Sequence, residues 1–180
     1  MIYLRFLNKS IERIEKIIIA YGIIFITLIL VFNVFTRQLL SWSWNAAEET
    51  SIFLVIAVTF MSLGYATRTG KHITMTVALD LVPHKVKKIM VIANSILSAI
   101  ALVIIAKIAW DYVMYVKEMG RVTSALLIPA WWTIIVMPIG FILSALQFFI
   151  AFILNIKNPR EIYIGPERIY GTIDADEITL

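Results

Sequence analysis

The sequence predicts an all-α integral membrane protein with four transmembrane helices, preceded by an amphipathic helix lying in the bilayer interface. Three observations carry this expectation. Apolar residues make up 61% of the 180 positions, whereas soluble domains are about half apolar. Four runs with little or no charge, at about 17–36, 50–67, 89–110 and 131–154, are long enough as helices to cross roughly 30 Å of hydrocarbon. The charged residues gather at the ends of these runs and in the polar tail.

The N-terminal segment 1–16 alternates at helical spacing. Tyr3, Leu7, Ile11, Ile14 and Ile18 form an apolar stripe, and Arg5, Lys9, Glu12 and Lys16 form a charged one. That pattern suits a helix lying in the interface. A cleaved leader would need a small-residue site after its apolar core, and Val31-Phe32-Asn33-Val34-Phe35 offers none. The membrane domain is expected over 17–154. Its first span ends with Asn33 and Arg37 on one helical face, followed by Trp42 and Trp44, which suit an aromatic belt.

The second span has a marked beginning and end. Asn45, followed three residues later by Glu48, reads as a helix start, and Glu48 and Glu49 suit the positive end of the helix dipole. At the far end Arg68 and Lys71 favour the negative end, and Gly70 stops the helix. Ser51, Val55, Thr59, Ser62 and Ala66 form a stripe of small or weakly polar residues suited to packing within the chain. Residues 73–82 fit either a strand or a helix by periodicity. A short interfacial helix is the better choice, because a lone strand beside a bilayer has no ladder to satisfy its backbone.

The third helix has no breaker from Lys85 through Tyr115 until Gly120, so it should outrun the bilayer thickness. Pro129 and the Trp131-Trp132 pair introduce the fourth span, in which Pro138 and Gly140 are expected to cause a bend. The polar tail, 155–180, is expected to be mostly disordered.

Twelve of the 16 Lys and Arg residues fall in the N-terminal segment, the connection between spans two and three, and the tail. The other four are Arg37, Lys107, Lys117 and Arg121. Such asymmetry places both termini in the cytoplasm. The net charge of +4 is distributed over span ends rather than a basic face, which argues against nucleic acid as a partner.

The same distribution offers little for chemistry. There is no Cys, which removes disulfides, thiolate metal sites and cysteine nucleophiles. His72 and His84 lie at span ends, where they could not clasp a haem inside a bundle. No P-loop, His-Glu-x-x-His or Gly-x-Ser-x-Gly motif occurs. No ionisable residue sits near the middle of a span, where a proton-coupled carrier would be expected to keep one. Catalytic, cofactor and metal residues are therefore all expected to be none. For Glu48 and Glu49, capping or pairing outweighs ligand binding. Arg37 has two equal readings, pairing with Glu48 or Glu49 or reaching to lipid headgroups.

Taken together, Trp44 and Glu48 heading a span, Arg68-x-Gly70-x-His72-Ile73 after it, Asn33 and Arg37 before it, Leu81-Val82-Pro83, Pro129-Ala130-Trp131-Trp132 and Pro138-Ile139-Gly140 resemble one family. It is the DctQ-like small membrane subunit of the tripartite ATP-independent periplasmic (TRAP) transporters, and the resemblance covers about 17–154. It implies a bacterial inner-membrane scaffold beside a large membrane subunit. A periplasmic substrate-binding protein would deliver an organic acid, and sodium would drive its import. In that setting the motif residues are structural or interface positions. A stand-alone small carrier, or a scaffold subunit of another membrane complex, stays open as the alternative.

Overall fold

The structure, a computed structural model, describes residues 2–40, 44–70, 83–158, 161–166 and 168–172. Helix α1 spans Ile2–Leu40, α2 Asn45–Arg68 and α3 His84–Glu118. A short α4, Trp131–Ile134, is followed by α5, Val136–Lys157. Four helical stretches are long and apolar enough to cross a membrane: Arg13–Leu39, Asn45–Arg68, Lys85–Glu118 and Trp131–Lys157. The all-α, four-span class is thus the one the hydropathy pattern predicts.

The element boundaries follow local chemistry. Gly70 (φ 62°) and Gly120 (φ 61°) take the left-handed conformation just past α2 and α3, which glycine adopts without a Cβ clash. The Gly70 amide donates to the Thr67 carbonyl at 3.3 Å, and the Gly120 amide to the Lys117 carbonyl at 3.1 Å. With nothing to stop it earlier, α3 reaches 35 residues, about 52 Å at 1.5 Å per residue and well beyond the hydrocarbon thickness. The fourth span is interrupted at Ile135, between α4 and α5. Pro138 explains the interruption, because it cannot donate to the Ile134 carbonyl four residues back and its ring crowds that oxygen.

Three expectations need correction. The segment 1–16 is not a separate element, since α1 continues unbroken from Ile2 to Leu40. Its apolar pattern changes near Ile17, but no Pro occurs in α1 and its one Gly, Gly22, lies well inside the apolar run. Of the small-residue stripe on α2, Ser51 is buried, Ser62 and Ala66 are half-buried, and Val55 and Thr59 are exposed, so that face is covered only in part within the chain. Finally, the tail contains an antiparallel pair, β1 (Glu161–Gly165) with β2 (Arg168–Thr172), where disorder was expected. The interfacial helix expected over 73–82, with His72 before it, lies outside the described residues.

The chain forms two compact units, one of residues 1–65 and 106–140, the other of 66–105 and 141–180. In the first, glycines set helix approach. A Cβ at Gly140 would lie 2.5 Å from the Phe60 carbonyl oxygen, and one at Gly22 would lie 2.5 Å from Val58 Cγ2. Close approach of this kind replaces the hydrophobic driving force that lipid cannot supply. In the second unit the apolar cluster of Val91 and Ile162, with Met90 against it, joins α3 to β1.

Candidate functional site

The first unit gathers most of the residues singled out from the sequence. Asn33 is buried on α1, where its Oδ1 accepts the Trp44 backbone N–H at 3.1 Å. Thr36, one turn later, donates its hydroxyl to the Asn33 carbonyl at 3.0 Å. Asn33 therefore ties the end of α1 to the entry of α2. That leaves an otherwise orphan amide satisfied, as a low-dielectric site requires.

A second polar constellation in this unit centres on Glu49. Its Oε1 accepts the Ser124 backbone N–H at 3.0 Å, and its Oε2 accepts those of Ala125 at 2.8 Å and Leu126 at 2.7 Å. Three successive amides converging on a carboxylate make a charge-assisted anion nest. The loop they belong to is closed on itself. The Thr123 amide donates to the Ile128 carbonyl, the Ala130 amide to the Arg121 carbonyl, and Val122 bridges Pro129. The Ile128 amide adds a bond to Thr123 Oγ1 at 3.2 Å. At its turn Leu127 adopts φ 54°, a conformation uncommon for a residue with a side chain.

Arg37 is exposed, as the headgroup reading expects; of its two expected partners, Glu49 is engaged by the 124–126 amides and Glu48 is exposed. Glu48 is exposed in the first turn of α2, where it complements the helix dipole. Trp131 meets Trp132 edge-on, with ring centroids 5.9 Å apart, and carries Lys117 Nζ 5.3 Å from its own centroid. Pro138 and Gly140 are buried. Pro129 lies in the loop bridge described above.

Arg68 and Gly70 belong to the second unit. Arg68 is fully buried as the last residue of α2 and Gly70 follows in its left-handed turn. His72 is outside the described residues. Two features escaped the sequence reading altogether. Glu15 is buried at 3% exposure, although its neighbours Arg13 and Lys16 are not buried. Asn155, also buried, donates to the Tyr163 carbonyl at 2.7 Å and accepts the Tyr163 amide at 2.9 Å. An Asn inside an apolar span was the available signal for the second.

Among the described residues, no group of three or more His, Cys, Asp or Glu side chains could hold a metal ion. The Glu49 nest and the Asn33 link both direct side-chain acceptors at the chain's own backbone. What they do is hold helix connections in place.

Comparison with known proteins agrees with this architecture. Residues 26–158 match the family described as "Tripartite ATP-independent periplasmic transporters, DctQ component". The chain is also 28% identical over 170 residues to the ectoine TRAP transporter small permease protein TeaB of Halomonas elongata, covering 94% of this chain and 88% of that protein. With four apolar spans and a family match across most of its length, the chain belongs to the DctQ family, the small permease subunits of TRAP transporters.

Proposed function

We propose that this subunit is a scaffold, packing beside a large TRAP membrane subunit and enlarging the fixed frame against which that subunit moves its cargo. The observation that carries this reading is the use of Glu49 and Asn33, the polar side chains a substrate site would draw on, as acceptors for backbone amides. Exposed apolar side chains supply area for a lateral partner or lipid, among them Phe25, Leu28, Phe32 and Phe35 on α1 and Val55 on α2. The family is a transporter membrane subunit rather than an enzyme family, and no catalytic role is proposed.

The protein is a multi-pass protein of the bacterial inner membrane. The excess of basic residues in the N-terminal segment, the 68–88 connection and the tail supports cytoplasmic termini. In that orientation the Glu49 nest and the 121–130 loop face the periplasm, the side from which a substrate-binding protein approaches. Import would be coupled to sodium, with an organic acid as cargo. TeaB is named for ectoine, so ectoine joins the candidate cargos. Selection among them is assigned to the binding protein and the large subunit.

Affinity purification of this chain from its native membrane in mild detergent tests the reading. Recovery with a large many-span protein is expected. Recovery of the chain alone, or with the subunits of another complex, would transfer the scaffold role elsewhere or remove it.

A further inference from the structure

We infer that the C-terminal hairpin is an intramolecular clasp that fixes the ends of three helices, so that order at one helix end depends on residues almost a hundred positions away. Strand β1 reaches each of the three ends by a different interaction. All of them lie within the second unit.

Against the exit of α2, β1 packs backbone to backbone at Gly165. A Cβ on Gly165 would lie 2.5 Å from the Arg68 carbonyl oxygen, 2.7 Å from that of Thr67 and 3.0 Å from the Gly70 nitrogen. Only a residue without a side chain fits there, because the atoms it meets belong to backbone that cannot rotate aside. At the start of α3, Ile162 is wholly buried with Val91 and Met90. In the same turn Lys88 Nζ donates to the Asn158 carbonyl at 2.6 Å and reaches the Glu161 carbonyl at 3.5 Å.

At the end of α5, Asn155 takes the place of a neighbouring strand. Its amide bonds both the N–H and the C=O of Tyr163, and also donates to the Ala151 carbonyl at 2.9 Å. The Tyr163 hydroxyl accepts from Asn158 Nδ2 at 3.3 Å and donates to the Glu161 carboxylate. A polar segment expected to be loose is therefore held by hydrogen bonds, apolar burial and a fitted glycine at once. These contacts are of different chemical kinds and anchor to different helices, so releasing β1 removes a shared support from all three ends.

Hydrogen exchange on the full-length protein, purified with whatever subunits accompany it, tests the clasp without reference to transport. Asn155→Leu removes both Tyr163 bonds while keeping bulk. Gly165→Ala pushes a methyl into the α2 exit. Each should speed exchange about tenfold or more at the Gly70 amide and through the first turns of α3, while the 123–128 amides keep their rates.

Should Gly165→Ala fail to accumulate, Lys88→Ala leaves every backbone contact in place and should give the same pattern more weakly. Faster exchange confined to residues 161–172, with Gly70 and the α3 start unchanged in Asn155→Leu and Lys88→Ala, would overturn the inference. The hairpin would then be a passenger on helices that hold themselves. The result does not depend on a TRAP partner, so its failure is distinct from failure of the scaffold reading.

Discussion

Gly140 sets its bare Cα against the backbone of Phe60 on α2, and Gly140→Ala places a methyl group in a space that does not exist. The new Cβ would lie 2.5 Å from the Phe60 oxygen and 2.8 Å from its Cβ, so the helices must part by about 0.9 Å to reach the 3.4 Å of ordinary contact. Forced overpacking of this kind costs about 1–3 kcal/mol, while Ala in place of Gly returns up to about 1 kcal/mol through helix propensity. The net loss is about 0–3 kcal/mol and centres on about 1.5 kcal/mol, which for a chain of this size lowers the melting midpoint by roughly 3–6 °C.

Gly22→Ala provides the control. Its Cβ meets Val58 Cγ2 at 2.5 Å, a side-chain methyl rather than backbone, with Val58 Cβ at 4.0 Å. Its cost should be smaller than that of Gly140→Ala although Val58 is stiff at χ1 in a helix, and Val58→Ala in the same protein should remove most of it. Thermal unfolding of the variants in one detergent, followed by loss of the monodisperse peak, reads the difference. If Gly140→Ala proves as stable as Gly22→Ala, the close α2–α5 approach has been misjudged.

The Glu49 nest makes a second prediction. Glu49→Ala should release the Ser124, Ala125 and Leu126 amides to exchange several-fold faster, and Glu49→Gln should do so less because it keeps one acceptor; unchanged protection in both would show that the loop holds itself. Topology is open to single-cysteine labelling because the chain has no native Cys. With a membrane-impermeant reagent on right-side-out vesicles, cysteine at Ser43 or Thr123 should react and cysteine at Thr69 or Asn158 should not, the reverse pattern inverting the proposed orientation.

Much of the fold was legible because hydropathy and helix stops are local signals. Gly70 and Gly120 end their helices as glycines do, and Pro138 interrupts the fourth span three residues before its own position. The continuity of α1 was not legible, because a change of apolar pattern marks a change of environment and leaves helical hydrogen bonding intact. The destination of Glu49 was hidden for a different reason. Its partners are backbone amides 75–77 residues away, and amides carry no sequence signature. Arg37, closer in sequence and oppositely charged, was the more visible choice.

The hairpin was obscured by composition. Ile162, Tyr163 and Ile164 followed by Gly165-Pro166 form a short apolar stretch in a polar tail, too brief to read as a strand without the Asn155 side chain that pairs with it. Burial of Glu15 and Arg68 likewise depends on tertiary surroundings, which a charge count at span ends cannot reveal.

The central claim is that this subunit supports transport without carrying out transport itself, and reconstitution into proteoliposomes tests it most directly. With the large membrane subunit, a loaded binding protein and an inward sodium gradient, uptake should proceed; omission of this subunit should abolish or strongly reduce it, leaving the binding protein's ligand preference unchanged. The purified 180-residue chain alone should take up nothing, and specific, gradient-driven uptake by it would contradict the account.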